Sequence, residues 1–184
     1  MKSIIAFSHQ LLKDIIQNGD VVIDATCGNG NDTAFLSRLV GKTGKVYAFD
    51  IQKQAIEKTQ VLLEKNNIEN VELIHAGHEQ VSHYIQDQTI TGAIFNLGYL
   101  PHGDPSIITV PETTIHAISS MLALLKKRGR IVIGIYHGHL GGTTEKNEVL
   151  AYCEQLDQKK YQVLQYQFIN QTNKPPFIVA IEKK

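Results

Sequence analysis

The sequence is poor in cysteine and has no excess of either charge. Its 184 residues include two cysteines, Cys27 and Cys153, and its 18 basic side chains balance 18 acidic ones. Two cysteines without C-x-x-C spacing exclude a disulfide framework and a zinc knuckle, which favours a reducing cytoplasm. The neutral balance excludes a strongly basic protein that coats nucleic acid everywhere, so any RNA contact must come from a local patch.

Long apolar runs are also lacking. The longest are only a few residues, against the ~20 that a membrane helix needs. His9 and Gln10 interrupt the N-terminal apolar segment where a signal peptide would continue. We therefore expect a cytoplasmic protein that makes no membrane contact. A length of 184 residues with 20% charged side chains predicts one globular domain over 1–184.

Two kinds of apolar pattern alternate along the chain. Short β-branched runs such as Val21–Ile23 are typical of strands buried on both faces, and helical spacing fills the intervals between them. The first helical pattern runs from Ile4 to a stop signal at Asn18-Gly19. Further helices are predicted at 33–40, 54–66, 79–85, 112–127 and 144–157. Strands are predicted at 21–23, 46–49, 71–74, 93–95, 130–136, 161–168 and 177–181.

This alternation predicts the fold class. Strands joined through helices form right-handed crossovers and a parallel sheet that is covered on both faces. The segment 169–176 is too short for a crossover helix, so the last two strands must pair as an antiparallel hairpin. We expect an α/β, Rossmann-like, seven-stranded and mostly parallel sheet with a C-terminal antiparallel hairpin and helices on both faces. Ligands of such sheets bind beyond the carboxyl ends of the strands.

The loop after the first strand carries a glycine motif. Residues 24–33 read Asp-Ala-Thr-Cys-Gly-Asn-Gly-Asn-Asp-Thr, in which Gly28 and Gly30 permit a sharp turn and a close approach of the backbone to a ligand. Asp24 precedes Gly28 by four residues, and Thr33 stands where a dinucleotide-binding loop has its third glycine. A carboxylate here would repel a pyrophosphate, so the loop favours a cationic ligand. Cys27 is interpreted as a small packing residue.

Polar residues also follow the second and third strands. Asp50 stands twenty residues after Gly30, where a carboxylate commonly binds both hydroxyls of a ribose. The turn 75–79, His-Ala-Gly-His-Glu, could flank an adenine. The alternative is purely structural, with the glycines making a tight turn and Asp50 capping the next helix. An acidic glycine loop with a ribose carboxylate resembles the binding site of class I S-adenosylmethionine methyltransferases, whose fold is this seven-stranded sheet.

The resemblance implies S-adenosylmethionine as the cofactor. It implies that Asp24, Gly28 and Gly30 meet the methionine part, Asp50 the ribose, and residues 77–79 the base. The whole cofactor site that it implies comprises Asp24, Thr26, Gly28, Asn29, Gly30, Asp32, Thr33, Asp50, Gln52, Gly77, His78, Glu79 and Asn96.

The fourth strand runs into Asn96-Leu97-Gly98-Tyr99. In class I enzymes that methylate amino groups, the four residues here are Asn or Asp, Pro, Pro, and Tyr or Phe. This sequence keeps the first and last of them, as Asn96 and Tyr99, and has Leu97 and Gly98 in place of the two prolines. An amide oxygen can accept the N–H of a target amine and direct its lone pair at the sulfonium methyl, while an aromatic ring stacks on a planar base. The absence of both prolines changes the shape of the loop and favours an amine carried on a substituent of the base over an amino group directly on the base ring.

The fifth strand leads into a glycine-rich turn that contains His137 and His139. An alkyl amine must lose a proton before it attacks a methyl group, and either histidine could take it, while Asp104 or Glu145 could bind the ammonium form. Zinc held by these histidines and His102 is a competing interpretation, but no cysteine or paired acid completes a ligand set, so we expect no metal. In a third interpretation these histidines only hydrogen-bond their loops. Surface positions without a chemical role are predicted for His9, His75, His83 and His116.

Three longer motifs indicate a narrower family. They are Asp-Ala-Thr-x-Gly-Asn-Gly-Asn-Asp-Thr, Phe-Asn-Leu-Gly-Tyr-Leu-Pro-x-Gly-Asp and Tyr-x-Gly-His-x-Gly-Gly-x-x-Glu, followed by a late Asn-x-Pro-Pro. Nearly the whole chain resembles the small bacterial family labelled "putative rRNA methylases", which includes the MnmM tRNA methyltransferases. Those enzymes methylate the 5-aminomethyl group of 2-thiouridine at the tRNA wobble position. The resemblance implies that activity here, with a tRNA anticodon stem-loop as the partner; His102 stands where we expect glycine.

On this interpretation the catalytic residues are Asn96, Tyr99 and His139. The substrate-binding residues are Leu97, Gly98, Tyr99, Leu100, His102, Asp104, His137, His139 and Lys174. A base of ribosomal RNA is the alternative acceptor, and a non-catalytic RNA-binding module that retains the cofactor pocket is the alternative from another class. A small-molecule amine methyltransferase is disfavoured because no insertion is long enough to build a lid.

Two basic features are candidates for RNA contact. The run 126–130, Lys-Lys-Arg-Gly-Arg, stands at the end of a predicted helix, where it could bind RNA or simply form a solvated helix terminus. Lys174 lies beside two prolines in the predicted hairpin loop, at the other edge of the site. Helices on the sheet surface could also support a homodimer.

Overall fold

Helices and strands alternate along the chain in the computed structural model, which describes residues 1–86, 88–100, 106–138 and 141–184. The helices are α1 (Ile4–Lys13), α2 (Asn31–Val40), α3 (Lys53–Lys65), α4 (Val81–Tyr84), α5 (Pro111–Leu124) and α6 (Gly142–Glu154), with a 3-10 turn at His78–Gln80. The strands are β1 (Val21–Asp24), β2 (Lys45–Asp50), β3 (Val71–His75), β4 (Ile90–Leu97), β5 (Leu125–Ile135), β6 (Tyr161–Tyr166) and β7 (Phe177–Lys183). Within these ranges no helix is long and apolar enough to cross a bilayer.

The strands form a single seven-stranded sheet in the order β3-β2-β1-β4-β5-β7-β6. Strands β1 to β5 pair in parallel, and β7 runs antiparallel to both of its neighbours. The predicted α/β fold with a C-terminal antiparallel hairpin is confirmed. The order reverses between β1 and β4, which opens a crevice at their carboxyl ends where ligands of such sheets bind.

Alternate residues of the central strands supply two cores. Val22 and Ile94 point to the face covered by α1 and α2, where Leu12 and Leu36 are fully buried. Residues of opposite parity, such as Phe95, point to the face covered by α4, α5 and α6. Both faces of a parallel sheet must be covered in this way, which explains why its strands read as continuous apolar runs.

The first helix ends earlier than its apolar pattern predicts. It stops at Lys13, and the following residue, Asp14, donates its N–H to the carbonyl of Gln10. Ile16 lies beyond the helix and is nonetheless buried in the core. Burial rather than helical geometry therefore explains the last apolar positions of the pattern.

The basic run 126–130 does not end a helix. Helix α5 stops at Leu124, and the run begins β5, whose first residue pairs with Ile90 of β4. Lys126 Nζ lies 2.8 Å from an oxygen of Asp20, and Arg130 Nε lies 2.6 Å from an oxygen of Glu182. The run is therefore at the amino end of β5, opposite the crevice, and two of its cations are engaged in ion pairs.

Candidate functional site

A cavity of about 1160 Å³ opens at the carboxyl ends of the parallel strands. Its wall includes the loops that follow β1, β2, β3, β4 and β5, as expected for the switch point of this sheet. The structure brings most predicted site residues into this wall: Thr26, Gly28, Asn29, Asp32, Asp50, Gln52, Gly77, His78, Glu79, Asn96, Leu97, Gly98, Tyr99, Leu100, His137 and Lys174. His102, Asp104 and His139 lie outside the described residues.

Three predicted cofactor residues lie behind the wall rather than in it. Asp24, Gly30 and Thr33 are absent from the cavity lining. Asp24 is completely buried, and its carboxylate accepts hydrogen bonds from Thr33 Oγ1 at 2.6 Å and from the Thr26 N–H at 3.2 Å. These contacts join the end of β1 to the first turn of α2, so the three residues hold the shape of the loop.

The lining is acidic although the whole chain is neutral. Asp32, Asp50 and Glu79 line the cavity. Among the lining residues that the structure describes, Lys174 is the only lysine or arginine. Burial, together with repulsion from Asp32, raises the pKa of Asp24 above its usual range. A cluster of carboxylates at a crevice favours a ligand with positive charge.

Replacing Asp24 by asparagine tests the burial of this carboxyl group. Because its folded-state pKa is raised, its contribution to stability is present below the unfolded pKa of about 4 and is lost as pH rises through the folded value. An amide can still accept from the Thr26 N–H and donate to Thr33. Urea unfolding at several pH values should show Asp24→Asn gaining stability over the wild type as pH rises toward neutrality. Parallel stability curves would contradict this.

Gly30 shapes the loop between β1 and α2. It is the N-cap of α2 with a φ of +80°, in the left-handed region, and Gly28 has a φ of +53°. A Cβ at Gly30 would stand 2.9 Å from Thr59 Oγ1 on α3. That hydroxyl donates to the Gly28 carbonyl at 3.1 Å, so α3 and the loop are in close contact here. Only glycine meets both requirements at position 30.

The variant Gly30→Ala is expected to lower the free energy of unfolding by about 1–3 kcal/mol, through left-handed strain and overlap with Thr59. Urea unfolding measures the change. Gly138→Ala is the matched control, because a Cβ at Gly138 meets no atom within 4 Å. Equal stability of the two variants would contradict the packing described for Gly30.

Asp50 is held by the backbone at both of its oxygens. Oδ2 accepts from the Gly28 N–H at 3.0 Å, and Oδ1 accepts from the Gln52 N–H at 2.9 Å. Gln52 is the N-cap of α3, so Asp50 also orders the start of that helix. A carboxylate has about four acceptor sites, and those that remain in the lining can accept two hydroxyl groups.

His78 lies beside Asp50 in the cavity wall and is buried. Its Nδ1 is 3.1 Å from the carbonyl of Ala25, so Nδ1 carries the proton and Nε2 is an acceptor. Within the described ranges, Nε2 is buried without a hydrogen-bond partner. Burial lowers the pKa of His78 and keeps the ring neutral. A buried acceptor of this kind suits an amino group of a ligand.

Asn96 and Tyr99 stand at the end of β4. The Asn96 N–H donates to Thr26 Oγ1 at 2.8 Å, and its side-chain Nδ2 donates to Asp32 Oδ2 at 2.7 Å. The Tyr99 ring is 50% exposed at the mouth of the cavity. The pair therefore combines a fixed amide with a half-exposed aromatic side chain in the cavity wall, and aromatic side chains can stack on planar bases.

Glu145 does not face the cavity, contrary to its predicted role in binding an ammonium group. It is buried at the start of α6, where its carboxylate accepts from Thr109 Oγ1 at 2.7 Å and from Thr114 Oγ1 at 2.9 Å. Thr109 also accepts the Gly98 N–H at 2.9 Å. Through Thr109, Glu145 thus stabilises the loop that carries Tyr99.

The sequence patterns missed residues that helix α1 contributes. Ile5 and His9 line the cavity, and His9 Nε2 lies 2.6 Å from Asp32 Oδ1. His9 was predicted as a surface residue, which is wrong. Its position depends on how α1 packs on the sheet, and no local signal encodes that contact.

The described part of the chain contains no group of three or more histidine, cysteine or acidic residues that could hold a metal ion. Cys27 lines the cavity but is buried, and burial raises the pKa of its thiol. It is therefore a packing residue in a protonated state, not a nucleophile.

Comparison with known proteins identifies the family. The model of the family described as "Putative rRNA methylase" matches residues 46–182. The chain belongs to this family. Its match covers β2 to β7, including the loops that carry Asp50, His78 and Asn96.

Close relatives share the whole fold. The chain is 48% identical to a protein of Clostridium thermocellum described as a "putative rRNA-methylase", covering 100% of this chain and 99% of that one with a TM-score of 0.98. It is 46% identical to a protein of Streptococcus mutans described as a "putative methyltransferase" and solved in complex with SAH, covering 100% of this chain and 99% of that one with a TM-score of 0.93. A tRNA (mnm(5)s(2)U34)-methyltransferase, chloroplastic, of Arabidopsis thaliana is 36% identical over 96% of this chain and 68% of its own length.

The protein is thus an S-adenosylmethionine-dependent RNA methyltransferase. The cavity lining fits that cofactor. Its carboxylates suit a molecule with a sulfonium and an ammonium group. Asp50 offers acceptors for two hydroxyl groups. The buried His78 Nε2, which has no hydrogen-bond partner in the described ranges, offers an acceptor for an amino group. Pockets for a single drug-sized ligand have volumes of roughly 300–1,000 Å³. The cavity of about 1160 Å³ therefore also leaves room for part of a second ligand.

Proposed function

We propose that this enzyme methylates the 5-aminomethyl nitrogen of 2-thiouridine at the wobble position of tRNA. The observation that carries the proposal is the Asn96 amide at the end of β4, held by Asp32 beside the exposed ring of Tyr99. An amide acceptor next to an aromatic surface suits an amine that stands off a stacked base. The relative from Arabidopsis, whose described activity is at U34, supports the same substrate.

The chain's contribution to the reaction is mainly positioning. When bound, S-adenosylmethionine supplies a methyl group activated by its sulfonium. Asn96 Oδ1 accepts an N–H of the target amine and so orients the nitrogen lone pair, while Tyr99 stacks on the uracil ring. Asp50 and His78 would hold the ribose and the adenine of the cofactor. His137, in the same wall, is our candidate for the group that removes the proton of the ammonium form.

The rim of the cavity suits one nucleoside that has left its stack. Five large apolar residues are exposed there: Ile5, Ile51, Tyr99, Ile107 and Val110. The densest basic run is at the amino end of β5, opposite the crevice, so we expect few phosphate contacts at the mouth. We infer that the anticodon stem-loop binds through apolar and stacking contacts to the wobble nucleoside, with Lys174 near its backbone.

Such a binding mode predicts a shallow salt dependence. With one or two phosphates neutralised, a plot of log K against log salt for an anticodon stem-loop should have a slope of roughly −1 to −2. Lys174→Ala should reduce the slope by about 0.7, whereas Lys127→Ala, exposed at the far end of β5, should leave it unchanged. Fluorescence anisotropy at several salt concentrations measures both. A steep slope in the wild type would indicate a basic RNA surface elsewhere.

Methyl incorporation into different RNAs tests the proposed function. The purified enzyme is incubated with labelled S-adenosylmethionine and either bulk tRNA that carries 5-aminomethyl-2-thiouridine or isolated ribosomal subunits. We expect label in the tRNA alone. Label in ribosomal RNA alone would favour the base methyltransferase, and failure to bind S-adenosylmethionine in calorimetry would favour the non-catalytic module.

A further inference from the structure

We propose that His9 is a positioning residue for methyl transfer, which acts through Asp32 to fix the orientation of the Asn96 amide. The inference rests on the proposed function, because it concerns the amide that accepts the target amine. The proposal assigns helix α1 a role in the active site. Neither the apolar pattern of α1 nor its separation in sequence from Asn96 predicts that role.

A short chain of hydrogen bonds joins three elements of the fold. His9 Nε2 on α1 lies 2.6 Å from Asp32 Oδ1 in the first turn of α2. The other oxygen of the same carboxylate lies 2.7 Å from Asn96 Nδ2 at the end of β4. One carboxylate therefore links the histidine to the amide, and all three residues line the cavity.

The chemistry of the carboxylate fixes the direction of each bond. A carboxylate only accepts hydrogen bonds, so His9 must present an N–H at Nε2 and Asn96 must present its NH₂ group. An amide rotated by half a turn would bring its oxygen against the Asp32 oxygen and lose the bond. The Asn96 carbonyl oxygen is thereby turned away from Asp32.

Gly134 leaves room for the oxygen in that orientation. Gly134 pairs with Asn96 across the sheet, and Asn96 Oδ1 lies 3.1 Å from the place where a Cβ of residue 134 would stand. No donor in the described ranges is paired with this oxygen. At the other end of the chain of bonds, the His9 ring stacks on Phe35 with centroids 3.8 Å apart and planes 7° apart. Stacking of His9 on Phe35 and the space beside Gly134 thus favour the amide orientation that leaves Oδ1 to accept a substrate N–H.

Two substitutions separate the hydrogen bond from the packing of the ring. His9→Phe keeps an aromatic ring against Phe35 but has no N–H, whereas His9→Gln loses the ring but can place an N–H near Nε2. With the aminomethyl tRNA as substrate, His9→Phe should lower kcat by about 10- to 100-fold, the scale of a misplaced reacting group. The dissociation constant for S-adenosylhomocysteine should stay within about threefold, and His9→Gln should recover most of kcat. His116→Ala, exposed on α5, is the matched histidine control.

A second measurement is independent of the RNA substrate. The side-chain NH₂ signals of Asn96 in ¹⁵N–¹H spectra are assigned by comparison with Asn96→Ser. In His9→Phe these signals should move from their wild-type positions, and the NH₂ protons should exchange with water faster than in the wild type. In His9→Gln both properties should stay close to those of the wild type. An unchanged Asn96 signal in His9→Phe, full kcat in that variant, or equal loss of kcat in His9→Gln would each overturn the inference. An inactive wild type with the expected Asn96 shifts would reject the proposed RNA substrate and retain the positioning role.

Discussion

Replacing Asn96 by alanine is expected to lower kcat on the aminomethyl tRNA by roughly 10²- to 10³-fold, because the amine loses the acceptor that orients its lone pair. The neighbouring structure should be retained, since Thr26 Oγ1 accepts from the backbone N–H of residue 96, which alanine keeps. The dissociation constant for S-adenosylmethionine should change much less than kcat. Single-turnover kinetics and calorimetry measure the two quantities.

Asn66→Ala is the matched control for Asn96. Asn66 is exposed at the end of α3, where its side chain donates to the carbonyl of Leu62. This variant should keep the wild-type kcat. If Asn96→Ala retained kcat within threefold of the wild type, the end of β4 would not hold the target amine, and the proposed mechanism would have to be abandoned.

The second large effect is expected at Asp50. Asp50→Ala removes the acceptor that we propose for two ribose hydroxyls, and it leaves the Gly28 and Gln52 N–H groups without their Asp50 partner. We expect S-adenosylmethionine to bind at least about 100-fold more weakly, since two charged hydrogen bonds are lost at about 1.5–3 kcal/mol each. Isothermal titration calorimetry measures the dissociation constant.

Asp14→Ala controls for the loss of an acidic side chain. Asp14 follows α1, is exposed and does not line the cavity, so its removal should leave the dissociation constant unchanged. Equal affinities of the wild type and Asp50→Ala would show that the cofactor does not contact β2. The assignment of the ribose to this strand would then be wrong.

The parts of the site that were predictable are those encoded locally. Gly28 follows β1 by four residues, while Asp50 and Asn96 lie at the ends of β2 and β4. The carboxyl ends of parallel strands meet at one edge of the sheet. Strand order and burial thus bring them together without further information. The short connection 169–176 likewise made the antiparallel hairpin of β6 and β7 unavoidable.

The remaining errors concern contacts between distant parts of the chain. His9 reaches Asp32 because α1 packs across the sheet, a placement that its own helical pattern does not specify. Residues 126–130 were predicted to lie at the end of a helix. Leu125 instead pairs with Ile90 of β4, and residues 126–130 continue β5. Glu145 was predicted as a carboxylate that could bind an ammonium group, yet it is buried and accepts hydrogen bonds from two threonine hydroxyls of the α5 region. In each case tertiary packing overrides the local pattern.

Nucleoside analysis of one defined tRNA tests the central claim most directly. The enzyme and S-adenosylmethionine are incubated with a tRNA that carries 5-aminomethyl-2-thiouridine at the wobble position, and with the same tRNA carrying unmodified 2-thiouridine there. After digestion, mass spectrometry should show a single added methyl group on the aminomethyl nucleoside and none in the second tRNA. Methylation of both tRNAs at another nucleoside, or of neither under conditions in which S-adenosylmethionine binds, would contradict the proposed function.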